Sequence, residues 1–287
     1  MDVKKQEAWK LLYSDFSGAE RSAVEFLSRE AGRFLIRQQG VYTLYVLPVE
    51  PEGSTIPHSA IIVGTYDESV CIRSHVKKDE IPENGFLIRA VRNPEAEEGV
   101  LLLVTALRKE ALFFGAAALI DRMIPEHSPG GGGQVYADRF FDRDPPEFSL
   151  SSAPRTKTRG VFAWGHPIND YRRYLEDLAR QGLNRVILWN DYRPLNAPEI
   201  VDCAHRYGIE LVWGYSWGWI AGSDRISDIS PARLAELRRQ VLQTFETRYA
   251  DCGDGIYFQH RVQEDVQRKG CYIQDHTDGD AADAAKG

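Results

Sequence analysis

The sequence is short of the features that mark several protein classes. Its four cysteines, Cys71, Cys203, Cys252 and Cys271, lie far apart in 287 residues. They have neither the density of a disulfide scaffold nor the paired short spacing of a zinc site, so no metal and no cofactor are expected. Basic charge is in deficit, with 35 Lys and Arg against 42 Asp and Glu for a net charge of −7. No basic face balances that excess, which argues against nucleic acid as a partner. No apolar run approaches the length of a membrane span, and the opening MDVKKQEAWKLLYSD carries charges but no signal-peptide core, so no membrane partner and a cytoplasmic location are expected.

What is present is a globular composition, 43% hydrophobic and 27% charged, enough to build cores over a length that suits two domains. From Glu20 to Gln38, Ala23, Val24, Phe26, Leu27, Ala31, Phe34 and Leu35 recur at intervals of three and four, which predicts a helix with one apolar face. Short apolar runs at 42–49, 60–64, 85–92 and 99–106 have strand length, and Asn84-Gly85 and Asn93-Pro94 punctuate them. A hairpin over 85–106 and a helix over 109–123 follow, so residues 1–127 read as an α+β domain. Residues 128–158, with Gly130 to Gly133 and Asp144-Pro145-Pro146, read as a connector. The glycine run lacks the Gly-Lys-Ser/Thr ending and the preceding strand of a phosphate loop.

From residue 159 the rhythm changes to strand 160–164, helix 169–181, strand 185–190, helix 197–207, strand 210–215, helix 231–249 and strand 255–259. Such alternation demands parallel strands with crossover helices, either a doubly wound sheet or part of an eightfold barrel. The first strand-to-helix turn, Trp164-Gly165-His166-Pro167-Ile168-Asn169, has no dinucleotide-binding glycine fingerprint, which favours the barrel over a nucleotide enzyme. The expected fold is therefore an α+β domain followed by an incomplete (β/α) TIM-type barrel of about four strands, residues 159–259.

In a barrel of this kind the site lies at the C-terminal strand ends. Trp164 and His166 follow the first strand. Asn190, Asp191 and Arg193 follow the second, and Tyr215, Trp217 and Trp219 the third. Aromatic rings beside amide, carboxylate and guanidinium groups suit a flat, hydroxylated ligand such as a sugar. Each residue also has a structural reading. Trp189 and Trp213 alternate with core positions, Asp191 and Arg193 can form a surface pair, His166 can cap its turn, and Asn169-Asp170 reads as the start of the following helix.

The stretch RGVFAW…DYRRYLEDLARQGLNRVILWNDYR…EIVDCAHRYGIELVWGYSWGW resembles the opening of the catalytic barrel of glycoside hydrolases related to the α-glucuronidases and the β-hexosaminidases. GFLIRAV…GVLLLVTALRKEALFFGAAALIDRM resembles the small domain that precedes the barrel in both groups. The resemblance implies an oligosaccharide or glycoside substrate, with Trp164, His166, Asn190, Asp191, Arg193, Tyr215, Trp217 and Trp219 as binding residues. It also implies an acid/base carboxylate just after the fourth strand.

Only 28 residues follow Gln259, and a barrel of about 250 residues cannot close in that length. The stretch 260–287 has no strand–helix pattern and reads as an irregular tail, whose abrupt start at His260 suggests a truncated or shifted reading frame. Glu264 is the one candidate acid in it. The expected function is that of a glycoside hydrolase family member lacking part of its site, inactive as it stands and prone to self-association through the open barrel edge. A non-catalytic carbohydrate-binding or scaffold protein is the alternative. Limited proteolysis should cut first near Gly130–Gly133 and leave a stable fragment of residues 1 to about 127. A first stable fragment ending within 85–123 would move that boundary.

Overall fold

The computed structural model of the chain describes residues 9–39, 45–48, 59–96, 99–123, 148–164, 168–190, 193–215 and 230–257. The glycine run, His166, Asp191, Trp217, Trp219 and Glu264 lie outside them. The chain divides into two units. One comprises residues up to Lys157 with Glu176–Gly182 and Arg206–Gly208, and the other Thr158–Leu175, Leu183–His205 and Ile209 onward.

The first unit is built on β1 (Lys10–Tyr13), α1 (Gly18–Gln39), β2 (Tyr45–Pro48), β3 (Ala60–Thr65), α2 (Val70–His75), β4 (Phe86–Arg92), β5 (Val100–Ala106), α3 (Leu112–Met123) and β6 (Phe148–Ser152). Its strands form one six-stranded sheet in the order β2-β1-β3-β5-β4-β6. The pairs β1–β2, β1–β3 and β3–β5 are parallel, while β4 pairs antiparallel with β5 and β6. The expected hairpin is present as β4–β5, its turn held where Asn93 Oδ1 accepts from the Glu95 N–H at 3.0 Å.

Alternation along the strands sorts the core into two layers. Leu12, Ile62, Leu101 and Leu103 meet Ile72 of α2 and Val76 just after it. On the opposite parity Val104 lies against Gly115 of α3, and Phe26 of α1 packs on Phe113 of α3 with ring centroids 5.1 Å apart. The predicted apolar stripe of α1 is borne out at Ala23, Val24, Phe26, Leu27 and Ala31, all buried.

Three elements escaped the sequence reading. β1 is four residues long and is stabilised by two parallel neighbours distant in sequence. α2 spans six residues behind its cap Ser69, whose hydroxyl accepts from the Ile72 N–H. β6 falls inside the segment read as a connector, and its polar FSLSS pattern is that of an exposed edge. With β1 present the sheet is mixed, three of its five strand pairs parallel and two antiparallel.

The second unit follows the predicted alternation: β7 (Gly160–Trp164), α4 (Tyr171–Arg180), β8 (Arg185–Trp189), α5 (Ala197–Arg206), β9 (Glu210–Gly214), α6 (Pro231–Arg248) and β10 (Gly255–Tyr257). All four strands are parallel, in the order β10-β9-β8-β7. Asp170 opens α4 by accepting from the Arg173 N–H at 3.0 Å, the start signal read from Asn169-Asp170. Ser230 caps α6 ahead of Pro231. The register of β10 is set by Asp254, which accepts the Leu211 N–H at 2.7 Å and contacts His205 Nε2 at 2.9 Å.

Phe162 on β7 and Tyr257 on β10, the two edge strands, have ring centroids 5.0 Å apart. Three strand spacings in a flat sheet come to about 14 Å, so the sheet must be concave toward these rings. Among the described residues it stays open: four strands curl, and none closes them into a barrel. Also among the described residues, no helix is long and apolar enough to cross a membrane, and no group of three His, Cys, Asp or Glu side chains is placed to hold a metal ion.

A Cβ on Gly85 would lie 2.0 Å from the Ser152 carbonyl oxygen and 2.9 Å from Ala153 Cα, both backbone atoms. Gly85→Ala should therefore destabilise the protein by about 1–3 kcal/mol, the cost of overpacking. Urea unfolding measures the loss, and amide exchange should rise selectively over 148–152. Unchanged stability and exchange would remove β6 from the sheet.

Candidate functional site

Parallel pairing aligns Trp164 with Trp189, Trp189 with Gly214, and Gly214 with Tyr257. Paired residues share a face, so the last row of the second unit's sheet presents three aromatic side chains and one glycine at the C-terminal strand ends. The row beneath it carries Phe162, Ile187 and Val212.

The rings form one contiguous cluster. Trp164 stacks on Trp189, with centroids 5.3 Å apart and planes 28° apart. Phe162 meets Trp164 edge-on at 5.7 Å, and Trp189 meets Tyr257 in the same way at 6.2 Å. Gly214 makes the stack possible, since a Cβ there would come within 2.6 Å of Trp189 Cε3. The cluster is dry below and open above: Trp189 is 5% exposed and Tyr257 2%, but Trp164 is 41% exposed. A large apolar ring is thus held at the rim by a buried ring under it, which limits the rotamer entropy it can lose on contact with a ligand.

The opposite face of the same sheet is a helix-covered core. Trp213, fully buried, donates from Nε1 to the Cys252 carbonyl at 2.8 Å, and Gly253, at φ +134°, gives the indole room. Trp189 and Trp213 looked equivalent in sequence, yet the alternation of strand side chains sends them to opposite faces.

That parity also decides the polar candidates. Tyr215 is 3% exposed, stacks on Tyr249 at 4.9 Å and 6°, and donates its hydroxyl to the Val241 carbonyl. Burial pushes its phenol up to about 12. Asn190 hydrogen-bonds the Tyr171 hydroxyl at the start of α4, and its own N–H donates to the Gly214 carbonyl at 2.9 Å. The Arg193 guanidinium lies 3.7 Å from Asp251 and beside the Cys252 thiol, on the turn that receives the Trp213 N–H. Of the described candidates, then, Trp164 alone stands in the aromatic row. Tyr215 and Arg193 serve the helix side, and Asn190 ties the end of β8 to α4 and β9.

Phe162 and Tyr257 belong to the row's cluster and were not anticipated. Both are strand residues of the parity that Trp164 sets, and that spacing was the available signal.

No protein-family model matches the chain, and no curated protein matches it. Among solved structures it is similar to a GH115 4-O-methyl-α-glucuronidase, BtGH115A, with specificity for decorated arabinogalactans. The identity is 18% and the TM-score 0.47, over 83% of this chain and 34% of that one. It is also similar to a GH20 exo-β-N-acetylglucosaminidase from Vibrio harveyi in complex with N-acetylglucosamine, at 11% identity and a TM-score of 0.37, over 73% of this chain and 33% of that one. The chain thus spans about a third of the length of each of these structures.

Gly214→Ala should displace Trp189 and cost about 1–3 kcal/mol of stability by overpacking. The near-ultraviolet circular dichroism of the stacked indoles should weaken at the same time. An unaltered spectrum at unaltered stability would mean that the Trp164–Trp189 stack does not depend on this glycine.

Proposed function

We propose that the chain is a carbohydrate-active protein of the glycoside hydrolase kind, and that the aromatic row at the ends of β7, β8 and β10 is where a sugar ring lies. One observation carries this reading: Trp164, exposed at the rim of a parallel β/α sheet, is stacked on the buried Trp189. A pyranose presents a face of C–H groups that packs on an indole, while its hydroxyls point sideways to polar partners. Strand ends of this kind are where β/α enzymes place their ligands.

In this reading Trp164 is the stacking platform, and Trp189 and Gly214 position it. Asn190 and Arg193 flank Asp191 in sequence. His166, Asp191, Trp217 and Trp219 are the proposed polar and aromatic partners, because they follow the same three strands in sequence. The proposed ligands are oligosaccharides bearing uronic acid or N-acetylhexosamine units, as the resemblance to α-glucuronidases and β-hexosaminidases implies. Hydrolysis would need a carboxylic acid at the glycosidic oxygen, with Glu264 the candidate, and a second carboxylate or a substrate acetamido group opposite it.

Titrating the full chain with such oligosaccharides, followed by calorimetry, tests the reading. Trp164→Ala should weaken binding by about 1 kcal/mol or more, roughly fivefold, on the scale of aromatic contacts. Absence of binding to the wild type, or equal binding by the variant, would remove the sugar from this face. No turnover of aryl glucuronides, hexosaminides or glucosides is expected of a chain lacking part of its site, and turnover abolished by Glu264→Gln would overturn that expectation and make Glu264 the acid.

A further inference from the structure

A second cluster lies in the first unit, at the C-terminal ends of β1, β3 and β5, and the sugar reading does not use it. After β1 the chain enters α1 on one face of the sheet, and after β3 it enters α2 on the other. The loops leaving these two neighbouring parallel strands therefore part, which is the topology of a switch-point crevice. Glu20, in the first turn of α1, reaches back to the loop that leaves β1. Its Oε1 accepts the Asp15 N–H at 2.7 Å and shares the Ser14 N–H, at 2.9 Å, with the Val63 carbonyl of β3 at 3.2 Å. Lys109 holds the loop from the other side, since its ammonium pairs with Asp15 and, at 3.0 Å, with Glu68. The Thr65 hydroxyl donates to Glu68 at 2.9 Å, and the Ser17 hydroxyl donates to Asp15.

Glu20 is fully buried, and its second oxygen, Oε2, has no hydrogen-bond partner. We propose that Glu20 is a proton-operated latch on the loop Ser14–Ser17, holding it closed when protonated and releasing it when ionised. Both backbone amides sit on Oε1, so a proton taken from solvent onto Oε2 leaves the grip on the loop intact. Loss of that proton leaves a buried charge, and the carboxylate gains hydration by swinging out and dropping the Asp15 amide, while the Ser14 amide keeps its bond to the Val63 carbonyl.

The charged groups around the latch are few. Asp15 comes from the loop, Glu68 from the turn after β3, and Lys109 from the short turn before α3. Glu110 beside Lys109 is exposed, and Arg21 on α1 itself pairs with Glu25 and covers Phe16. Burial, with help from Glu68, raises Glu20 to about 7 against the pull of the two amides and Lys109, while Lys109 holds Asp15 low and ionised.

The sign follows from linkage. The closed loop binds the proton more tightly than the open one, so opening becomes easier as pH rises from the ordinary glutamate value of 4.5 toward about 7 and then levels off. Amide exchange of Asp15 in the full chain, corrected for intrinsic rate, reads this directly, and Ser14, still bonded to the Val63 carbonyl, serves as the internal control. Opening should grow about fortyfold from pH 5 to pH 7 and about twofold more before it levels off. Glu20→Gln should make the profile flat, and Glu68→Gln should bring the plateau to lower pH, which a merely structural role for Glu20 would not do. If Glu20→Gln fails to fold, the wild-type and Glu68→Gln profiles still decide. A wild-type profile without pH dependence, or an inflection that Glu68→Gln leaves in place, would overturn the latch.

Discussion

Parallel strand pairing is the constraint on which both units depend. Parallel neighbours cannot be joined by a tight turn, so each pair needs a crossover, and the loops that follow the strands gather along one edge of the sheet. In the second unit this brings Trp164, Trp189 and Tyr257 into one row although three helices and the strand β9 separate them in sequence. In the first unit it brings Asp15, Glu68 and Lys109 to the ends of β1, β3 and β5. Neither cluster is local. Each exists because a hydrogen-bonded ladder fixes its register, and a slip by one residue would turn every side chain of that strand to the opposite face.

The strands and helices of the second unit were legible because their apolar periods are clean and their caps are ordinary ones, as with Asp170 and the Ser230–Pro231 pair. The membership of the site was less legible. Sequence position placed Asn190, Arg193 and Tyr215 near the strand ends, and they are there, but nearness to a strand end does not say which face a side chain takes. Tyr215 shares parity with Trp213 and packs on Tyr249, so its hydroxyl is taken by a backbone carbonyl. Counting alternation back from Trp164 and Trp189 would have separated the two groups and drawn in Phe162 and Tyr257. The curl that lets rings on the two edge strands touch is not written in any one strand, because it accumulates across four of them.

The first unit hid its elements for a different reason. β1 and β6 are short, and what stabilises them is pairing with strands far along the chain, which no local pattern reports. Glu20 was hidden by its ordinariness: an acidic residue in the first turn of a helix is normally read as a favourable dipole partner in solvent. Here the loop before α1 doubles back over it, so the carboxyl is enclosed and the helix start doubles as a clamp.

The two clusters show opposite answers to one problem, the cost of withdrawing groups from water at the open end of a parallel sheet. The aromatic row meets it by burying mostly apolar ring surface, so that Trp189 and Tyr257 form a packed base on which Trp164 is kept stiff. The polar cluster meets it by mutual pairing, with Lys109 between two carboxylates, and that leaves one carboxyl oxygen over. In the first kind the stacking platform itself recognises shape. In the second kind the fit depends on protons, because the leftover oxygen can be accommodated neutral far more easily than charged.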